Sequence, residues 1–305
     1  MQDVRSRRYD RRADVLRVRD LLSTTFSTAP RGLNWETRRW EGSNYYCTDA
    51  ELADPSAWER LVQLWEMADG TLVGVAHADR DGWGCLQVHP DWRALEPEMI
   101  AWCEQHLSVP TEDSTRRQLY VEVMDGDALR EDLLAGRGYE RLEGGMANRW
   151  RSLDAPIVDA PVVPGYTVRG LRPGPDDRAR LVALTNAAFG HQHTTEMYAN
   201  FERSPSYRHD LHLVAEASDG SFAALAGVTF DPIASLGTFE PVCTHPDHRR
   251  RRLALACMVE GLRRLRALGA AGAHVSTGLT NPSNHLYAAA GFTAVDTWHV
   301  WRRVW

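Results

Sequence analysis

Residues 245–256 read HPDHRRRRLALA. Upstream, TFEPVCT (238–244) alternates as a strand does. Downstream, Leu253–Leu268 has the apolar recurrence of a helix that Gly269 ends. A strand that turns directly into a helix leaves the first N–H groups of that helix without intrahelical acceptors. They converge at the positive end of the helix dipole, so the turn is a seat for an anion such as a diphosphate. Taken alone, the run Arg249–Arg252 reads as a solvated basic face or a nucleic-acid patch. The flanking strand and helix favour the anion seat.

The surrounding sequence extends this pattern. TVRGL (167–171) reads as a strand. Residues 176–188 read as an amphipathic helix with Leu181, Leu184 and Ala188 on one face. Residues 212–217 and 221–230 read as strands joined by a Ser-Asp-Gly turn. A strand at 274–277, a helix at 282–290 and one or two closing strands in 292–305 complete the segment. Strands and helices alternating in this way predict an α/β fold, a mixed and mostly antiparallel sheet flanked by helices.

The second informative stretch is NPSNHLYAAAGF, residues 281–292. Asn281 is a good N-cap, Pro282 a good first helical residue, and Gly291 a stop. Tyr287 stands about one turn beyond Asn284. A capped helix with a packed tyrosine would account for either half, but the full spacing N-x-x-N-x-x-L-Y-x-x-x-G-F is more specific.

Together the two stretches resemble the GCN5-related N-acetyltransferase (GNAT) superfamily, which moves acetyl groups from acetyl-CoA to amines. The family turn is Arg/Gln-x-x-Gly-x-Gly/Ala. Arg249 and Ala254 fit it, while Arg252 stands where the first glycine is expected. A helical conformation at that position would not require glycine, so weakened rather than lost binding is expected. The resemblance implies that the backbone of Val242, Cys243 and Thr244 bonds the pantetheine arm. It implies that Arg250, Arg251, Arg252, Leu253, Ala254 and Leu255 wrap the pyrophosphate, with Arg249 heading the motif. Asn281 and Asn284 would contact the cofactor, although the family often has alanine at the second position. Tyr287 would protonate the departing thiolate, since a phenol with a pKa near ~10 carries its proton at neutral pH.

The base that relieves the attacking ammonium of its proton is less evident. Some relatives place a glutamate five residues before the asparagine, where this chain has Ser276. Glu240 is the better candidate, because period-two alternation puts it on one strand face with Val242. A strand-edge carboxylate facing solvent is the alternative. His191, His193 and the Tyr207-Arg208 pair lie in the segment that covers the acceptor in relatives, or are polar surface. A nucleophilic role for Cys243 would need a neighbouring base, and the sequence offers none.

The first half echoes the second. His89-Pro90-Asp91 recurs as His245-Pro246-Asp247 and Gly138-Tyr139 as Gly291-Phe292, at offsets of 156 and 153 residues. A helix near 14–26, strands near 71–78 and 83–88, a helix at 94–107, a strand at 118–124 and a helix at 127–135 follow the same order. The expected division is a degenerate domain over 1–153, a linker or extended connection over 154–165, and a catalytic domain over 166–305. The repeat puts Glu96-Pro97-Glu98 opposite Arg252-Leu253-Ala254, and Ala128 and Leu134 opposite Asn281 and Tyr287. Two carboxylates would repel a pyrophosphate and Pro97 has no N–H to give. The tryptophan-rich segment 33–46 is expected either as buried core or as a wall of the acceptor site.

Composition narrows the remaining choices. The 305 residues suggest about two domains, and a net charge of −6 argues against non-specific nucleic-acid binding. Five scattered cysteines form no metal motif and fit reduced thiols in a cytoplasm. The first twenty residues lack the apolar core of a secretory leader, and no apolar run is long enough to span a membrane. The expected function is acetyl transfer from acetyl-CoA to a small-molecule or peptide amine by direct attack in a ternary complex, with no metal. A non-catalytic acyl-CoA-binding or regulatory module on the same fold is the alternative. An arginine-turn nucleic-acid binder is a more distant one.

Overall fold

The computed structural model describes residues 4–29 and 32–305, apart from the side chain of Ala294. The chain begins with β1 (Val4–Arg8), α1 (Arg11–Thr25), α2 (Thr37–Tyr45), α3 (Asp49–Ala53), α4 (Ser56–Glu59), β2 (Val62–Met67), β3 (Leu72–Ala78) and β4 (Trp83–Val88). A 3-10 segment, Pro90–Leu95, leads into α5 (Glu96–His106), β5 (Val109–Pro110), β6 (Arg117–Met124), α6 (Ala128–Gly136), β7 (Glu140–Arg141) and β8 (Met146–Ser152). Beyond the proline-rich connection come β9 (Tyr166–Gly170), α7 (Pro175–Phe189), α8 (Thr195–Phe201), β10 (Leu213–Ala217), β11 (Phe222–Asp231) and β12 (Leu236–Thr244). A short 3-10 turn, Pro246–His248, opens onto α9 (Leu253–Ala267), β13 (Gly272–Gly278), α10 (Ser283–Ala289) and β14 (Ala294–Val304). The fold is α/β, with a largely antiparallel sheet flanked by helices.

The chain forms two units, but not by a single cut at 154–165. Unit 1 comprises Met1–Thr37, Ala53–Ala147 and Asp296–Trp305, and unit 2 comprises Arg38–Leu52 and Asn148–Val295. Hydrogen-bond pairing accounts for the exchange. Residues 298–304 of β14, expected to close the second half, pair antiparallel with Gln118–Met124 on β6. In unit 2 the place beside β13 is taken by β8. The segment 38–52 joins unit 2 through Asn200, whose amide donates to the Cys47 carbonyl and to Asp49, and through Glu41, a buried acceptor for the N–H and hydroxyl of Ser206.

Each unit has its own core. In unit 2 the apolar face of α9 packs with Leu213, Val228, Phe239, Val275 and Phe292. In unit 1, Met99, Ile100 and Cys103 of α5 pack with Trp65, Leu86, Val121 and Leu134. The two units also share an ion-pair design that no sequence motif announced. Asp14 on α1 accepts from Arg7 and Arg17 at 2.7 Å, and both arginines reach Glu66 on β2. Asp177 on α7 accepts from Arg169 at 2.6 Å and from Arg180, and both reach Glu216 on β10. Even the last bond is repeated, Arg17 donating to the Gly70 carbonyl and Arg180 to that of Gly220. Burial pushes the Asp14 carboxyl up, but hydrogen bonds from Arg7, from the Asp10 N–H and from Arg17 outweigh it and hold the group below the ordinary range. Removing one member of such a buried group costs about 3–5 kcal/mol, because the partner charges are left uncompensated.

Candidate functional site

The site in unit 2 begins with a bulge. On β11, Ala226 pairs with Val242 and Val228 with Phe239, so Gly227 alone opposes both Glu240 and Pro241. A Cβ on Gly227 would stand 2.9 Å from the Glu240 carbonyl oxygen and 3.0 Å from Pro241 Cδ. Bulges bend the strand that carries the extra residue. The parallel pairing of β12 with β13 covers Leu236–Thr238 and goes no further. Beyond it, one edge of β12 is open. Backbone parity decides which groups use that edge. The His245 N–H donates to the Ala223 carbonyl at 2.9 Å, so Cys243 exchanges its bonds with Leu225 on β11. Val242 and Thr244 therefore turn their N–H and C=O groups to the open side. Of the three backbone groups expected to meet a pantetheine arm, the middle one is already spent inside the sheet.

The arginine turn follows. His245 accepts from the Asp247 N–H and starts the 3-10 turn. Arg249 is extended, whereas Arg250 and Arg252 have φ of 64° and 58°. The helical conformation expected at Arg252 is therefore corrected. The residue is left-handed, where glycine is favoured and a side chain costs about 1–2 kcal/mol. Arg252 precedes α9 as its N-cap residue, no side chain caps the helix, and the first turn contains no acidic residue. The first helical bond runs from the Ala256 N–H to the Arg252 carbonyl. A cavity of about 420 Å³ opens here, lined by Thr244, Arg250–Leu255 and, from α10, His285, Leu286 and Ala289. Its lining unites the strand end, the uncapped helix head and the tyrosine helix, so the residues present fit a coenzyme diphosphate and the start of its pantetheine arm.

On α10, Pro282 rather than Asn281 is the cap position, although the Asn281 carboxamide still accepts the Ser283 N–H at 2.9 Å. Asn284 is fully occupied. Its NH₂ group donates to the carbonyls of Gly278, Leu279 and Asn281, and its oxygen accepts from Arg149 at 2.8 Å. Asn284 thus pins the turn before α10 with its NH₂ group, and only the second lone pair of its oxygen is left for the expected cofactor contact. Tyr287 is buried, 5% exposed. Burial raises its phenol above the ordinary value, against a hydrogen bond with Ser283, and Glu240 and Cys243 are near enough to raise it further. Burial also pushes the Cys243 thiol up to about 12, which removes it as a nucleophile.

Glu240 is about half exposed, and its Oε1 lies 3.8 Å from Nη2 of Arg38, whose own side chain is 8% exposed. The bulge that opens the strand edge thus also presents the carboxylate. The Ser276 hydroxyl is buried and has no partner among the described residues. Of the lid candidates, Arg208 is tied to Asp210 at the surface. Tyr207 is buried against His212, and the His193 ring meets Tyr46 edge-on at 4.8 Å. Segment 33–46 divides: Leu33 and Trp35 enter the core of unit 1, while Tyr46 packs with Tyr198 in unit 2. Among the described residues no group of His, Cys, Asp and Glu is placed to hold a metal, and no helix is long and apolar enough to cross a membrane.

The equivalent place in unit 1 is built alike and filled. The His89 N–H donates to the Val73 carbonyl at 2.9 Å, so Val88 turns its backbone outward as Thr244 does. Both groups are taken by the Asn34 carboxamide, at 2.8 and 2.9 Å. At the head of α5 the Glu96 carboxylate is fully buried, bonded by Arg93 at 2.6 Å and by Arg130 at 2.9 Å. Of the two carboxylates expected to repel a pyrophosphate, Glu96 is corrected, whereas Glu98 is exposed. Glu96 points inward as the chain's own anion, and Glu98 accepts from the Trp65 indole. The remaining space, about 280 Å³, is lined in part by Asp125 and Asp127.

Residues 178–292 match the model of the Acetyltransferase (GNAT) family. No curated protein matches the sequence. Among solved structures, a GCN5-related N-acetyltransferase from Sphaerobacter thermophilus superposes with a TM-score of 0.64 at 20% identity, over 99% of this chain and 95% of that one. A tandem GNAT protein from the clavulanic acid biosynthesis pathway gives 0.65 at 17% identity, over 99% and 98%. A GNAT-family acetyltransferase from Colwellia psychrerythraea gives 0.56 at 13%, over 99% and 100%. Residues 178–292 thus match the GNAT acetyltransferase family, in a chain with the fold of tandem GNAT proteins.

Proposed function

We propose that the protein transfers an acetyl group from acetyl-CoA to an amine by direct attack within a ternary complex, using the site in unit 2 alone. The observation that carries this reading is the joining of an open β12 edge to an uncapped α9 head by one cavity. The N–H groups of Leu253, Ala254 and Leu255, with the flanking arginines, would hold the diphosphate. The backbone groups of Val242 and Thr244 would take the pantetheine amides and orient the thioester carbonyl. Glu240, open to water, would receive the amine proton directly or through a water. Tyr287 stays protonated because burial holds its phenol up, and would give that proton to the sulfur as the carbon–sulfur bond breaks.

Unit 1 is read as a degenerate copy, because Asn34 and Glu96 occupy the positions a second coenzyme would need. Calorimetry should accordingly give one acetyl-CoA per chain, and thiol release should depend on added amine. Two coenzymes per chain would refute the assignment of silence to unit 1. A second reading, a non-catalytic acyl-CoA-binding module, draws on the left-handed Arg252 and on the Arg38 partner of Glu240. Saturable acetyl-CoA binding without thiol release across a broad amine panel would establish it instead. Binding to nucleic acid that free CoA fails to displace would favour the arginine-turn alternative.

A further inference from the structure

Arg38 is the least satisfied charge near the proposed site. Its side chain is 8% exposed, its Nε is buried without a partner, and among the described residues its guanidinium makes no hydrogen bond. It lies 4.3 Å over the Phe201 ring and faces Glu240 at 3.8 Å, a distance that permits attraction but not a hydrogen bond. A guanidinium offers five donors in a rigid fork and is rarely buried without an anion to use them. Its position is also specifically accommodated. A Cβ on Gly42, one turn along α2, would fall 2.5 Å from Arg38 Nη1, so a larger residue there would move the guanidinium from this position.

We propose that Arg38 binds the carboxylate of the acceptor, so that the substrate class is free amino acids or similarly compact amines bearing a carboxylate. This rests on the acetyltransferase reading above and deepens it. Glu240 and Arg38 present opposite charges side by side, one half-exposed and one buried. An ammonium and a carboxylate on adjoining atoms complement that pair: the ammonium meets Glu240, which takes its proton, and the carboxylate fills the empty fork. A simple amine satisfies only Glu240 and leaves the guanidinium without a hydrogen-bonded anion, an arrangement that discriminates against a substrate lacking the group.

The test compares amino acids with their decarboxylated counterparts, for example phenylalanine with phenethylamine, by thiol release from acetyl-CoA. The wild-type protein should favour the amino acid in kcat/KM. Arg38→Met should lower that preference by about 10- to 100-fold, mainly through the KM of the amino acid. Gly42→Ala keeps the charge but displaces it, and should erode the preference in the same direction without loss of fold, since alanine is the better helix former. Two results overturn this inference alone: equal turnover of both classes by the wild-type protein, or an Arg38→Met penalty shared equally by both, as a residue that merely orients Glu240 would give. Thiol release with other amines but with neither of these two classes also overturns this inference alone, whereas no thiol release across a broad amine panel overturns the reading beneath it as well.

Discussion

Tyr287 and Arg252 show how differently a side chain and a backbone angle reveal themselves. The tyrosine was legible from its spacing, and the structure adds the burial that keeps its phenol protonated. Tyr287→Phe should lower kcat by about 100-fold or more while acetyl-CoA affinity changes little, measured by steady-state kinetics and calorimetry. The handedness of Arg252 was not legible, because a φ of 58° belongs to the turn and not to the residue type. Arg252→Gly should raise folding stability by about 0.5–1 kcal/mol in urea unfolding, the relief of the left-handed side chain less the entropy of glycine. Two buried histidines, His212 and His274, carry a further expectation. Burial pushes both down to about 3, so they stay neutral in the folded protein while the unfolded chain protonates them near ~6.5. The unfolded state then binds more protons, and stability falls as pH drops from about 6.5 toward 3, by up to about 1.4 kcal/mol per pH unit for each histidine. Urea midpoints at pH 7 and pH 5 measure this.

Among the elements, the strands and helices of the second half were readable because their periods are undisturbed. Residues 253–268, 221–230 and 238–244 became α9, β11 and β12 within a few residues. What escaped was the bulge on β12, for which Pro241 inside TFEPVCT was the one available signal, since proline within a sheet is confined to edges and bulges. Yet that bulge presents Glu240 and ends the pairing with β13. Gly227→Ala should therefore harm both folding and cofactor binding, because the new methyl would sit 2.9 Å from a backbone oxygen. We expect a loss of about 1–3 kcal/mol in stability and a weakened acetyl-CoA affinity, read by thermal unfolding and calorimetry. Helix α2 also went unrecognised, and with it Arg38. The tryptophans of 33–46 suggested a wall or a core, and the segment serves each unit with a different part.

For the chain as a pair of units, the duplication was visible in two short motifs but its extent was not. The matched ion groups around Asp14 and Asp177 are the fuller record of it, and the second acid of each, Glu66 and Glu216, lies too far along the sequence for the group to be read as a motif. The exchange of strands was hidden for a related reason. Local pattern shows that residues 294–304 form a strand, but the identity of a strand's neighbour depends on contacts across more than a hundred residues.

That exchange sets the timetable of synthesis. A ribosome delivers residues 4–147 long before residues 298–304, the strand that covers the far side of β6. The first unit must therefore wait, with that edge exposed, until almost the whole described chain has been made. It is the second unit, needing only segments already delivered, that can close first.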